Sequence, residues 1–147
     1  MSQPQSTQSG HSDTTTQGIR VQVGASYLPE QSNPELGRYF FVYRVVLTNL
    51  GNKPSRLLSR KWLITDGDGD TRHVEGPGVV GEHPRLEPGE SYEYLSGCPL
   101  ATAWGTMEGS YRWQEDDGRI FEVAIGRFFL APNTAPLDHL DAETLQP

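Results

Sequence analysis

The chain has 147 residues, with 19 Asp and Glu against 12 Lys and Arg, a formal net charge of −7 and a pI near 5.0. That length suits one domain with its own core rather than two, and the acidic balance lacks the positive field that binds phosphate backbones, so nucleic acid is not an expected partner. Cys98 is the single cysteine, which excludes an internal disulfide and a paired-cysteine metal site and fits a reducing compartment; no apolar run approaches the roughly 20 residues of a membrane helix, and no export signal opens the chain, so a cytoplasmic protein without membrane contact is expected.

Residues 1–18, "MSQPQSTQSGHSDTTTQG", carry almost no apolar side chains to offset the entropy of ordering, and are expected to be a disordered polar tail that includes His11. Residues 19–131 form the expected domain, in which apolar residues recur at every second position, the period of a strand with one buried face. "RVQVGASY" offers Val21, Val23, Ala25 and Tyr27 to one side. "RYFFVYRVVLTNLG" sets Phe41, Tyr43, Val45 and Leu47 against Val42, Arg44, Val46 and Thr48, and reads as a long central strand ending in a turn. "SRLLSRKWLITD" does not alternate cleanly, which predicts burial on both sides or a bulge.

Tyr92 and Tyr94 mark the next strand. "GTMEGSYRWQ" then puts Met107, Gly109, Tyr111 and Trp113 on one face, and "RIFEVAIGRFF" puts Phe121, Val123 and Ile125 inward. Between them the Asp-Gly pair of "EDDG" suits a tight hairpin, so these two strands should pair. Residues 132–147 are expected to be a tail whose Leu137, Leu140 and Leu145 could dock as a helical turn or an arm across a partner. About seven strands with turns between them and no long helix predict an all-β sandwich of two packed antiparallel sheets.

In "VEGPGVVGEHP", Gly76, Gly78 and Gly81 match the spacing that cradles pyrophosphate when a strand ends there and a helix opens. Pro84 and Pro88 break any helix begun at Gly81, which removes the dinucleotide reading. What remains is a tight turn using glycine's freedom at positive φ or, as the alternative, an anion-binding nest made by the amides of Gly76, Gly78, Val79, Val80 and Gly81.

The other constellations point to structure. Asp66, Asp68 and Asp70 open like a calcium loop, but Thr71 stands where glycine is required and Pro77 where a bidentate glutamate belongs, so an acidic turn between strands is expected. His73, Glu75 and His83 lack a diagnostic metal spacing. Cys98 has no base fixed beside it by spacing, with His73 or His83 available only if the fold brings them close, and reads as a buried thiol. Glu115 and Asp116 read as solvated acids at a hairpin. No catalytic residues, metal site or cofactor are expected.

Three stretches, "RKWLITDGDG", "VEGPGVVGEHPRLEPGESYEYLSGCPL" and "GTMEGSYRW", together resemble the ApaG family, in one order and over nearly all of residues 19–130. The resemblance implies an immunoglobulin-like or fibronectin type III-like β-sandwich and no established enzymatic activity. Bacterial members are associated with cobalt resistance and magnesium efflux and are encoded beside a diadenosine tetraphosphate hydrolase. In eukaryotes a similar domain is appended to F-box proteins and to a polymerase-interacting protein, which points to protein recognition. The family's glycine motif falls here on Gly76, Gly78 and Gly81.

The function expected is a non-catalytic binding module for an unidentified protein partner. The alternatives are a sensor of phosphate, pyrophosphate or a dinucleoside polyphosphate through the glycine loop, and direct divalent-metal binding. Exposed edge strands leave monomer and homodimer both open.

Overall fold

The computed structural model describes residues 10–132; what was expected of residues 1–9 and of 133–147, including Leu137, Leu140 and Leu145, lies outside the described residues. Nine strands run in order: β1 (His11–Thr16), β2 (Ile19–Tyr27), β3 (Tyr39–Asn49), β4 (Ser55–Asp66), β5 (Thr71–Pro77), β6 (Arg85–Leu86), β7 (Ser91–Leu100), β8 (Gly105–Glu115) and β9 (Ile120–Leu130). They form two antiparallel sheets, ordered β1-β2-β3-β7 and β5-β4-β8-β9, with β6 paired to β4. Two single 3-10 turns, Pro29–Gln31 and Pro34–Leu36, precede β3, and no α-helix occurs among the described residues.

This is the expected two-sheet sandwich, consistent with an immunoglobulin-like or fibronectin type III-like fold. The alternating residues meet between the sheets: Val21 and Val23, Phe41, Tyr43, Val45 and Leu47, Met107, Tyr111 and Trp113, and Phe121, Val123 and Ile125 are all buried. Trp62 of β4 stands at the centre, with its ring edge-on to Tyr43 at 5.3 Å, Phe128 at 6.0 Å and Tyr111 at 6.4 Å between centroids. Such edge contacts add about 0.5–1.5 kcal/mol each to the burial of the rings.

The irregular β4 pattern is a bulge. Its register with β8 shifts between Leu57 and Ser59, so Leu57 and Trp62 both face inward although they stand five residues apart. A second shift falls between Met107 and Gly109 in the β8–β9 pairing, further along β8, where these residues face Ile64 and Trp62 of β4. Gly109 falls on the inward face as the alternation predicts, and contributes space there rather than packing: a Cβ would overlap the Lys61 carbonyl oxygen of β4.

The N-terminal expectation is corrected for its second half. His11–Thr16 is a strand in continuous register with β2, from His11 opposite Gly24 to Thr16 opposite Ile19. Composition counts apolar burial and therefore overlooks a polar segment that gains its order from the hydrogen-bonding edge of β2. Arg20 and Asp13 add an exposed ion pair at 2.6 Å, and one hydroxyl ties β1 to β9, where the Ala124 amide donates to Thr16 Oγ1 at 3.2 Å. Gly126 leaves room for β1 to lie close at Thr14, since a Cβ there would stand 2.6 Å from Thr14 Oγ1. Both the β2 and β9 edges are thereby covered.

Replacing Gly109 with alanine should force β4 and β8 apart and lower unfolding free energy by roughly 3 kcal/mol in urea titration; a change under about 0.5 kcal/mol would show that the strands tolerate the extra carbon.

Candidate functional site

The glycine segment follows β5 along the edge of the five-stranded sheet. Arg60 of β4 pairs with Gly76 on one side and with buried Tyr111 on the other, which places it on the inward face with Trp62. Its guanidinium leaves the interior across Gly76, where a Cβ would stand 2.7 Å from Arg60 Nη1. Arg60 Nη1 then donates to the carbonyls of Pro77 and Gly78, both at 3.2 Å. Gly76 is thus the opening through which a charged group escapes the core.

The next residues form a two-residue hairpin. The Gly78 amide donates to the Leu58 carbonyl at 2.9 Å, and Val79 and Glu82 exchange both backbone bonds at 2.8 Å. Val80 and Gly81, at φ 43° and 81°, make the two left-handed positions of a type I′ turn. Gly78 has φ 61°, and a Cβ on it would overlap the Glu82 carbonyl oxygen. Each glycine of the spacing therefore has its own steric or conformational reason, and the chain continues through Pro84 into β6 without a helix.

This geometry bears on anion binding. The amides of Gly78 and Val79 are engaged inside the protein, while those of Val80 and Gly81 find no acceptor among the described residues. Val79 is fully buried, whereas Val80 is 53% exposed. A β-branched residue in the left-handed region costs about 1–2 kcal/mol, a strain that persists because the bonds around it fix the turn.

The remaining candidates resolve as follows. Asp66 Oδ1 accepts from the amides of Asp68 at 2.9 Å and Asp70 at 3.0 Å, with Gly69 at φ 88°, so the acidic stretch is the turn joining β4 to β5. These three carboxylates have ligand atoms within 4.8 Å of one another, the one such group among the described residues. His73, Glu75 and His83 do not join into another: His73 and Glu75 are exposed on β5, and His83 Nδ1 lies 3.3 Å from the Leu57 carbonyl. Glu115 pairs with Arg119 at 3.1 Å, and Asp116 with Arg85 at 2.6 Å.

Cys98 is buried, and its Sγ lies 3.6 Å from Arg72 Nη2. Burial pushes the thiol up to about 12, against the opposing pull of the Arg72 cation. A neutral thiol of this kind is a packing group rather than a nucleophile. Two residues that sequence reasoning did not single out complete the picture. Arg60 was detectable only as a charge interrupting the β4 pattern, and Trp104, 46% exposed, only as a tryptophan in the short connection before Gly105.

Val80→Asn should raise stability by about 0.5–1 kcal/mol, since asparagine tolerates the left-handed region; a loss in thermal melting would show that Val80 contributes packing instead. Cys98 should resist iodoacetamide at pH 8 in the native protein and react fully in urea. Because its folded pKa is raised from 9.0 to about 12, the neutral thiol's contribution to stability is complete below pH 9 and is lost as pH rises towards 12. Rapid native labelling at pH 8 would contradict the burial.

The sequence model of the ApaG domain matches residues 29–115. Among curated relatives, the ApaG protein of Dechloromonas aromatica is 48% identical over 120 residues, which cover 82% of this chain and 94% of the relative. The ApaG protein of Allorhizobium ampelinum is 53% identical over 115 residues, covering 78% of this chain and 88% of the relative. Among solved structures, the putative ApaA protein from Bordetella pertussis matches with a TM-score of 0.75 at 44% identity, covering 86% of this chain and 99% of that one. A domain match over more than half the chain, with relatives this similar along most of its length, makes the chain a member of the ApaG family.

Proposed function

We propose that the protein is a non-catalytic binding module of the cytoplasm that recognises a protein partner through the connections of its sandwich. The observation that carries this reading is where its exposed apolar side chains lie. Among the described residues the large ones are Leu36, Leu50, Val80, Trp104 and Ile120, each in a turn, in a connection or at the first position of a strand. The outer sheet faces instead carry ion-paired side chains such as Arg44 with Glu93 and Arg112 with Glu122. Binding residues on loops held by a rigid β scaffold are the common arrangement for recognition.

Family membership supports an association with cobalt resistance and magnesium efflux, which a binding module would serve by recruiting another protein. Anion sensing has narrower support, the two unengaged amides of Val80 and Gly81 at the turn tip. Direct metal binding has only the acidic turn, in which one Asp66 oxygen already accepts two amides.

A photo-crosslinking amino acid placed singly at Leu36, Val80 and Trp104, and at Glu93 and Glu122 on the sheet faces, tests the reading in native cells. Adducts of defined mass from the connection positions and not from the faces are expected. Adducts from the faces alone, or from no position, would exclude recognition through the connections.

A further inference from the structure

The connection between β7 and β8 presents an aromatic surface beside the acidic turn. Of the three tryptophans, Trp62 and Trp113 are fully buried and Trp104 is 46% exposed. The Trp104 indole is stacked on Phe129, with planes 13° apart and centroids 6.0 Å apart. It lies against the backbone of the β4–β5 turn, where a Cβ on Gly67 would stand 2.7 Å from Trp104 Nε1. Thr102 ties the two connections together: its Oγ1 accepts from the Gly67 amide at 2.8 Å and donates to the Trp104 carbonyl at 2.7 Å. The ring is thus mounted before any partner arrives, which lowers the ordering cost of contact.

The charge beside it comes from exposed carboxylates. Asp66 turns an oxygen inward to two amides, while Asp68 and Asp70 are exposed and form no ion pair among the described residues. Arg72, the cation nearest in sequence, is directed instead to the Pro99 carbonyl at 3.1 Å and to Cys98. The turn that carries Leu36, 62% exposed, reaches the same end of the sandwich, because a Cβ on Gly37 would stand 3.6 Å from the Ala101 carbonyl.

We propose that this end of the sandwich, with Trp104 on Phe129 beside Asp68 and Asp70, docks a cationic segment of a protein partner. An arginine or lysine head lies over the indole face, whose quadrupole attracts cations, within reach of the two carboxylates, and the aliphatic stem of the side chain covers apolar surface towards Leu36. Tryptophan and arginine are also the side chains most enriched among residues that dominate interface energies. The formal charge of −7 on the chain favours approach of a cationic partner over a polyanion. The proposal rests on the protein-binding reading and names the chemistry of the partner.

The probe is an acetylated and amidated peptide of alternating arginine and leucine, titrated by calorimetry against the full chain, with a citrulline peptide as its neutral match. The arginine peptide should bind and should shield Trp104 from acrylamide quenching. Trp104→Ala and the pair Asp68→Asn with Asp70→Asn should each weaken it at least about tenfold, while Trp104→Phe retains part of the affinity. The charge-matched pair Glu75→Gln with Glu82→Gln, away from this end, should bind within about twofold of the wild type. Near-ultraviolet circular dichroism checks that each variant is folded. Equal loss in the control pair, equal binding of the citrulline peptide, or no binding by the wild type would overturn the proposal. Crosslinks from Leu36 or Val80 to a partner whose affinity Trp104→Ala leaves unchanged would overturn this surface and leave the protein-binding reading standing.

Discussion

An arginine at an inward position of a central strand is the constraint around which the candidate region is built. Alternation along β4 gives Arg60 the same face as Trp62, opposite the buried ring of Tyr111, and a guanidinium left there without partners would be strongly destabilising. Gly76 removes the side chain that would block its exit, and the carbonyls of Pro77 and Gly78 accept its hydrogen bonds. The exit fixes the end of β5, and the fixed end determines how the next residues turn. Val79 enters the core, and Val80 is presented outward at a positive φ.

The same cation acts within the interior. Burial pushes the hydroxyls of Tyr43, Tyr94 and Tyr111 up from their ordinary range, and the nearby Arg60 charge works in the opposite direction on all three. Tyr94 and Tyr111 meet through a short hydroxyl contact that joins the two sheets, so these two rings satisfy their polar tips on each other, whereas Trp62 Nε1 and Trp113 Nε1 are buried without a hydrogen-bond partner among the described residues. The arginine that β4 turns inward thus bears both on the tyrosines of the core and on the start of the glycine turn.

Much of the fold was legible because the period of a strand is simple. Phe41, Tyr43, Val45 and Leu47, Tyr111 with Trp113, and Phe121, Val123 and Ile125 all face the side that alternation assigns them, and the expected hairpin joins β8 to β9, with Gly118 of the Asp-Gly pair at positive φ and Asp117 not. β4 was legible only as an irregularity: its bulge changes parity between Leu57 and Ser59, and the place of such a change depends on the partner strand. That shift hid the inward position of Arg60. β1 was illegible for a different reason, since its order comes from backbone ladder bonds to β2 and from the Thr16 hydroxyl contact with Ala124 rather than from apolar area. Trp104 carries no periodic signal at all, being placed by a connection packed on Gly67.

A glycine spacing that holds pyrophosphate in one fold here permits an arginine's exit, a close carbonyl approach and a left-handed turn, because the work of a spacing is set by the elements that flank it. The most direct test is amide hydrogen exchange read by NMR across residues 76–83, with and without millimolar pyrophosphate. The account predicts slow exchange at Gly78, Val79 and Glu82, fast exchange at Val80 and Gly81, and no change on adding the anion. Saturable protection of Val80 and Gly81 by pyrophosphate, with shifted resonances from Gly76 to Gly81, would contradict it.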